Sequence, residues 1–253
     1  MVEDRFRSAG VHLLGHLAVP EEGKAAAGRP GLVVCHGFPS DRHGTMGAVA
    51  TYPELADRIA AETGWTVFTF SFRGVGASGG DFSLSGWLDD LRAAVDRLLA
   101  IGPVDRVWLA GASTGGSLAI CVAAEDERVQ GVAALSSRAD FDDWAAHPRQ
   151  FLNHCRDIGV IRNPQFPADP EQWALDFKET RPLSAVTSLA PRPLLLIQGS
   201  EDDVVPAVDA RALADCHGDA ELRIIPGAGH RLRDDPRAIA LLLGWLERQV
   251  PVD

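Results

Sequence analysis

The sequence is short of cations. Lysine occurs twice, at Lys24 and Lys178, and 24 basic side chains stand against 35 acidic ones, for a net charge of −11. So acidic a surface repels phosphate backbones and anionic lipid, so neither nucleic acid nor a membrane is an expected partner. Cysteine is scarce too: Cys35, Cys121, Cys155 and Cys216 form no Cys-x-x-Cys pair and no zinc spacing. Cys35 and Cys121 lie in apolar runs and read as buried free thiols, a usage that suits a reducing, cytoplasmic location. The N-terminal stretch carries Glu3 and Asp4 and lacks a long apolar core, so no signal peptide is expected. Long uncharged runs are missing except at residues 107–124, and there Gly111, Gly115 and Gly116 fall where a turn would. A strand, a turn and a helix explain that run better than a membrane span. With 46% apolar and 23% charged residues, the composition excludes a disordered or fibrous chain. The length of 253 residues suits one large domain, or one domain with an insertion.

Short apolar runs alternate with helical patterns. Residues 31–35, 66–72, 106–110, 129–135, 193–197 and 221–225 read as strands, each followed by a turn signal. Their continuous apolar character predicts a parallel sheet covered on both faces. Leu84, Trp87, Leu88, Leu91, Val95, Leu98 and Leu99 follow the helical i, i+3, i+4, i+7 spacing. Further helices are expected at about 52–61, about 206–216 and around 239–246, and an antiparallel edge around 11–19. The fold class is α/β, a doubly wound, mostly parallel sheet in a single domain over 1–253. Residues 137–188 break the rhythm: they hold no clear strand but several aromatics, and read as a small helical cap inserted in that domain.

In an open parallel sheet, ligands bind beyond the carboxyl ends of the strands. Four such ends carry unusual residues. Gly111-Ala-Ser113-Thr-Gly115 places Ser113 on a sharp turn between a strand and a helix start, which is the setting of an activated serine. Its hydroxyl needs a base. Of eight histidines, His230 sits in a glycine loop directly after the last strand. His36 reads as a buried structural residue, His147 and His154 as solvated faces within reach of substrate, and His12, His16 and His217 as surface or edge residues. The base needs an acid to orient it. Asp202 is the choice from Glu201, Asp202 and Asp203, with Asp203 the backup or a cap. An oxyanion needs preorganised donors, and the N–H groups of Phe38 and Thr114 are the candidates. The glycine-rich stretch 73–80 lacks the rest of a nucleotide motif and reads as a tight loop.

The stretches HGFPSD (36–41), FRGVGASGG (72–80), GASTG (111–115), GSEDDVVP (199–206) and GAGH (227–230) together resemble the α/β-hydrolase superfamily. The resemblance spans nearly the whole chain and keeps the family order of serine, acid and histidine. It implies an α/β-hydrolase fold, with Ser113 as nucleophile, Asp202 as acid, His230 as base, and Phe38 and Thr114 as oxyanion donors. Within the superfamily the chain is similar to compact bacterial esterases and serine-peptidase-like hydrolases. It departs from dehalogenases, which carry an aspartate at the position of Ser113, from dienelactone hydrolases, which carry a cysteine there, and from the HGGG oxyanion loop of many lipase-like members. The expected activity is hydrolysis of small or medium carboxylic esters through an acyl-enzyme. Rival readings are an aminopeptidase or amidase, with Asp140, Asp142 or Asp143 anchoring an amine; a thioesterase using Arg149, Arg156 and Arg162; carbon–carbon bond hydrolysis; and a catalytically silent binding module. No metal or organic cofactor is implied. The expected partner is a small ester, and a homodimer stays open because oligomeric state is not legible here.

Overall fold

The structure is a computed structural model describing residues 2–40 and 42–250, the side chains of 2, 3 and 42–50 excepted. The described residues form one eight-stranded sheet in the order β1-β2-β4-β3-β5-β6-β7-β8. The strands are β1 (Val2–Ser8), β2 (Val11–Ala18), β3 (Pro30–Cys35), β4 (Thr66–Phe70), β5 (Arg106–Ala112), β6 (Val129–Leu135), β7 (Leu194–Gly199) and β8 (Glu221–Ile225). β1 and β2 form an antiparallel hairpin, β2 joins β4 antiparallel, and all other neighbours are parallel. The expected edge at 11–19 is therefore a two-strand hairpin; its outer strand, with Asp4, Arg5 and Arg7 between apolar residues, gave no clear apolar run.

The helices are α1 (Arg42–Thr63), α2 (Leu84–Ile101), α3 (Thr114–Glu125), α4 (Asp142–Ala146), α5 (Pro148–Ile158), α6 (Pro170–Glu179), α7 (Pro182–Leu189), α8 (Ala207–His217) and α9 (Pro236–Glu247). Strand side chains alternate between the faces. Val33, Phe68, Leu109, Val132 and Leu196 join one buried cluster with α2, α3 and the segment after β6, while Leu32, Val67, Trp108, Ala133 and Leu195 join another with α1 and α9. That two-sided burial is why the strands read as unbroken apolar runs. It makes the fold doubly wound, as the alternation predicts.

The segment between β6 and β7 is helical throughout its ordered elements. α4 packs against α5 and α6, and α6 against α2, whereas α7 packs against α3 and α8. The cap is tied to the 72–82 loop. Arg162 donates to the carbonyls of Gly76 and Ser78 at 3.3 and 2.5 Å, and Trp173 Nε1 donates to Phe82 O at 3.1 Å. No helix among the described residues is long and apolar enough to cross a membrane; residues 107–124 are β5, a turn and most of α3.

Candidate active site

Chain order and sheet order part company at β3, which has β4 on one side and β5 on the other. The crevice at such a switch point is where ligands bind in open α/β sheets. Both Ser113 and the His36–Phe38 loop emerge there.

Ser113 ends β5 and precedes α3 with φ 51° and ψ −125°. A side chain resists this positive-φ conformation at a cost of roughly 1–3 kcal/mol. The glycines make it feasible. A Cβ on Gly111 would lie 2.5 Å from the Gly115 carbonyl carbon, and one on Gly115 would overlap the His36 carbonyl. The Ser113 N–H donates to Leu135 O at 2.7 Å, pinning the turn to β6. Thr114 opens α3, so its N–H has no intrahelical acceptor. Beneath the turn the Cys35 thiol donates to Gly115 O at 3.2 Å, and burial pushes its pKa up to about 12, so it is inert.

Asp202 follows β7, and His230 lies in the loop after β8. His230 Nδ1 is 3.0 Å from both Asp202 carboxylate oxygens, which makes it the donor and leaves Nε2 for another partner. The Asp202 side chain is fully buried. It also accepts from Gln198 Nε2 at 2.9 Å, Val204 N at 3.0 Å and Val205 N at 2.8 Å. Burial pushes its pKa up, but the donors at Val205, His230 and Val204 outweigh this and hold it below the ordinary carboxylate value. Asp203 and Glu201 are exposed. The cap expected of Asp203 belongs to Asp202, which both closes the turn and holds the imidazole.

The Ala228–Gly229 backbone lies so close over the end of β7 that a Cβ on Gly199 would overlap it. β6 lies between β5 and β7, so the strand ends that carry Ser113 and Asp202 are two strands apart, about 10 Å. Among the described residues no hydrogen bond joins Ser113 Oγ to His230.

On the other side, the Phe38 N–H has no acceptor among the described residues and sits beside Ser113: a Cβ on Gly37 would lie 2.9 Å from both Ser113 Cβ and Ala112 O. His36 fixes this loop. Its Nδ1 donates to Gly37 O at 2.8 Å, and its Nε2 accepts from Phe72 N–H at 3.2 Å. A carbonyl can only accept and an amide N–H can only donate, so the ring is one neutral tautomer. Burial, with the Arg233 cation adding to it and the Gly37 bond opposing it, pushes its pKa down to about 4. Asp41, the last residue of the 36–41 stretch, lies outside the described residues, and the side chain of His43 likewise.

Two residues of consequence were not singled out from sequence. Gln198 is fully buried and bridges Asp202 to Val205 O; as one polar residue in an apolar strand it was the available signal. Ser136, at the end of β6 between the serine and acid strands, has φ 49° and a buried hydroxyl without a partner; the Thr114 hydroxyl is likewise unpartnered. Two histidine expectations are corrected. His16 is buried and bonds Asp57 at 2.7 Å, and His217 is buried against Arg192 O at 3.0 Å, because both side chains face packed helices or loops. The 73–80 stretch is a tight loop in which the Gly74, Val75, Ser78 and Gly79 N–H groups bond main-chain carbonyls rather than facing a ligand. Among the described residues no cluster of acids, histidines or cysteines could hold a metal ion.

The chain belongs to the alpha/beta hydrolase fold family, whose model matches residues 30–167. The uncharacterized protein Rv2307c of Mycobacterium tuberculosis is 29% identical over 214 residues, covering 83% of this chain and 65% of that protein. The chain thus spans about two thirds of the length of this curated relative. Est1E from Butyrivibrio proteoclasticus is similar in structure, with a TM-score of 0.72 at 19% identity over 98% of this chain and 97% of that one. So is XC6422 from Xanthomonas campestris, an α/β serine hydrolase, with a TM-score of 0.66 at 23% identity over 100% and 96%. At these identities the structural likenesses establish the fold.

Proposed function

We propose that this chain is a serine hydrolase that cleaves small or medium carboxylic esters through an acyl-enzyme. The observation that carries the reading is the buried Asp202 carboxylate holding His230 Nδ1 with both oxygens, opposite a serine in a positive-φ turn. In this reading Ser113 Oγ attacks the ester carbonyl while His230 Nε2 takes its proton. Asp202 fixes the tautomer and stabilises the imidazolium. The oxyanion is held by the Phe38 and Thr114 N–H groups, each worth roughly 10²–10³ in rate. His230 then protonates the departing alkoxide, and water repeats the attack on the acyl-Ser113 ester.

Esters are favoured over aminoacyl substrates because the acids near the site are engaged. Asp143 pairs with Arg138 at 2.7 Å and Asp142 with Arg181 at 2.9 Å, while Asp140, the third acid that could anchor an ammonium, accepts from the Asp142 N–H at 2.9 Å. The thioesterase reading weakens for a similar reason: of Arg149, Arg156 and Arg162, the last two are spent on main-chain carbonyls, which leaves Arg149 alone for a phosphorylated carrier. The esterase and serine-hydrolase names of Est1E and XC6422 agree with the proposal.

The test is labelling with a fluorophosphonate and turnover of a small activated ester. Wild type should be labelled at Ser113 and hydrolyse the ester. Ser113→Ala and His230→Ala should each lose turnover by about 10³-fold or more with the fold intact. Wild-type turnover in Ser113→Ala would overturn the reading.

A further inference from the structure

The turn after β7 closes around one amide. Gln198 is the polar residue of an otherwise apolar strand, Leu194-Leu-Leu-Ile-Gln198-Gly199. Ile197 joins the cluster under α1 and α9, and Leu196 the cluster under α2 and α3. By alternation Gln198 faces the α2 and α3 side, where it is fully buried. Its Nε2 donates to Asp202 Oδ2 at 2.9 Å and to Val205 O at 2.9 Å. Both partners only accept, which fixes the end of the amide that carries the nitrogen. The other end, Oε1, is buried without a partner among the described residues. An unmet buried acceptor costs stability that an apolar side chain of the same length would not. What the amide brings to this position is its two donations.

The bond to Asp202 does what the other bonds to that carboxylate do not. Oδ1 accepts from Val204 N at 3.0 Å, Val205 N at 2.8 Å and His230 Nδ1 at 3.0 Å. Oδ2 accepts from His230 Nδ1 at 3.0 Å and, among the described residues, otherwise from Gln198 alone. The main-chain donors thus hold one oxygen and leave the group free to pivot about it, because the terminal torsion of an aspartate is broad. Gln198 holds the second oxygen and stops the pivot. The plane of the carboxylate sets the direction of the imidazole it binds. No charged side chain among the described residues is a rival anchor. Glu201 and Asp203 are exposed, Asp209 of α8 accepts from Ala139 N, Arg231 pairs with Asp234 at 2.9 Å, and Arg233 lies over the Tyr52 ring at 5.3 Å.

We propose that Gln198 is a positioning residue of the candidate site, locking the Asp202 carboxylate by its second oxygen so that His230 is aimed at Ser113. The proposal rests on the serine-hydrolase reading and deepens it. Gln198 touches no reacting atom. It acts where the imidazole takes and returns the Ser113 proton, so its loss shows in kcat rather than in KM.

The experiment compares wild type, Gln198→Met, Gln198→Glu and Leu196→Val in turnover of a small ester, thermal unfolding and proton NMR. Gln198→Met keeps the length and removes the donor. Its kcat should fall about tenfold or more with KM within about twofold, the scale of a misplaced catalytic group. Gln198→Glu can donate to Oδ2 only while protonated, a form that burial beside a carboxylate favours. Its kcat relative to wild type should fall about tenfold or more from about pH 6 to about pH 9, a trend that a merely structural role does not produce. Being isosteric, it keeps the test open where the methionine variant does not fold. Leu196→Val loosens the same face of β7 and should lower the thermal midpoint with kcat within about twofold. The His230 Nδ1 proton, assigned by its absence from His230→Ala, should give a downfield signal in wild type and Leu196→Val, broadened in Gln198→Met. Wild-type kcat and signal in Gln198→Met, or a pH-independent ratio in Gln198→Glu, would overturn the proposal. Absence of ester turnover in wild type, with a signal that still depends on Gln198, would sink the hydrolase reading and leave the hold of Gln198 on Asp202 and His230 standing.

Discussion

Lowering the pH should destabilise the fold through His36, which fixes the loop at residues 36–38. The ring donates to Gly37 O and accepts from Phe72 N–H, and its edges meet Tyr52, Phe72 and Trp87 with centroids 6.0, 5.0 and 5.5 Å away. A second proton would set an N–H against the Phe72 N–H inside an aromatic box. The folded pKa is therefore depressed from 6.5 to about 4. The sign follows. Above 6.5 both folded and unfolded chains carry a neutral ring, and the stabilisation is fully present. Between 6.5 and 4 only the unfolded chain takes up the proton, so stability falls with pH, and below 4 both are protonated. The loss from this group is about 2 kcal/mol between pH 7 and pH 5, and about 3 kcal/mol by pH 4. The carboxylates held below their ordinary values, Asp202 and Asp126, lose their contribution only from about pH 4 downward. Urea unfolding of wild type and His36→Asn across pH 7 to 5 reads it directly. Asparagine can still donate to Gly37 O but does not titrate. The stability difference between the two should shrink by about 2 kcal/mol on going to pH 5; a difference constant within about 0.5 kcal/mol would refute the reasoning.

Two further outcomes are expected. The Asp90 side chain is fully buried and clamps the Arg73 guanidinium at 2.7 Å and the Arg73 N–H at 2.8 Å, while Arg73 reaches Ser8 on β1 at 3.1 Å. Asp90→Ala strands that cation and should cost about 3–5 kcal/mol in urea unfolding; a loss under about 1 kcal/mol would contradict the assignment. Gly37→Ala puts a methyl 2.9 Å from Ser113 Cβ and Ala112 O, so the loop must retreat from the serine. In an esterase assay kcat should fall roughly 10²–10³-fold, with a thermal midpoint near that of wild type; an unchanged kcat would remove the Phe38 N–H from the oxyanion site.

Legibility in the sequence tracked local physics. β3, β6 and β8 lie within a residue of their expected bounds: β3 is buried along its whole length and β6 nearly so, while β8, partly exposed at the sheet edge with Glu221 and Arg223, was bounded by the turn at Pro226-Gly227. α2 was readable from its spacing because only one side of it is buried. α3 is buried from Thr114 to Ala123, so it has no polar face and could be placed only by the glycines before it. The pairing of Asp202 with His230 depends on contacts between loops 28 residues apart in sequence. Its partners could be guessed from strand ends; the bridging Gln198 left only the signal of one polar residue in an apolar strand. His16 and His217 misled for the opposite reason: a polar residue beside a turn looks solvated until the helix that covers it is known.

The candidate site joins a rigid half to a looser one. Ser113 is held by the hydrogen bond to Leu135, by glycines that admit no other backbone course, and by a helix with no solvent-facing side. These offset the cost of its backbone and keep it from relaxing. The loop of His230 is tied down as well, by the Gly227 N–H donating to Ser200 Oγ at 2.8 Å and the Glu201 N–H donating to Ala228 O at 2.9 Å, but the half-buried imidazole itself is held by the Asp202 carboxylate. Any adjustment that brings imidazole and hydroxyl together therefore falls on the histidine ring. Catalytic hydrogen bonds are often long before substrate arrives, and that division of stiffness lets one close without disturbing the serine or the oxyanion donors. In the proposed reading the four donors to Asp202 serve the same end: a carboxylate fixed by Gln198, Val204 and Val205 keeps the tautomer of His230 without moving itself.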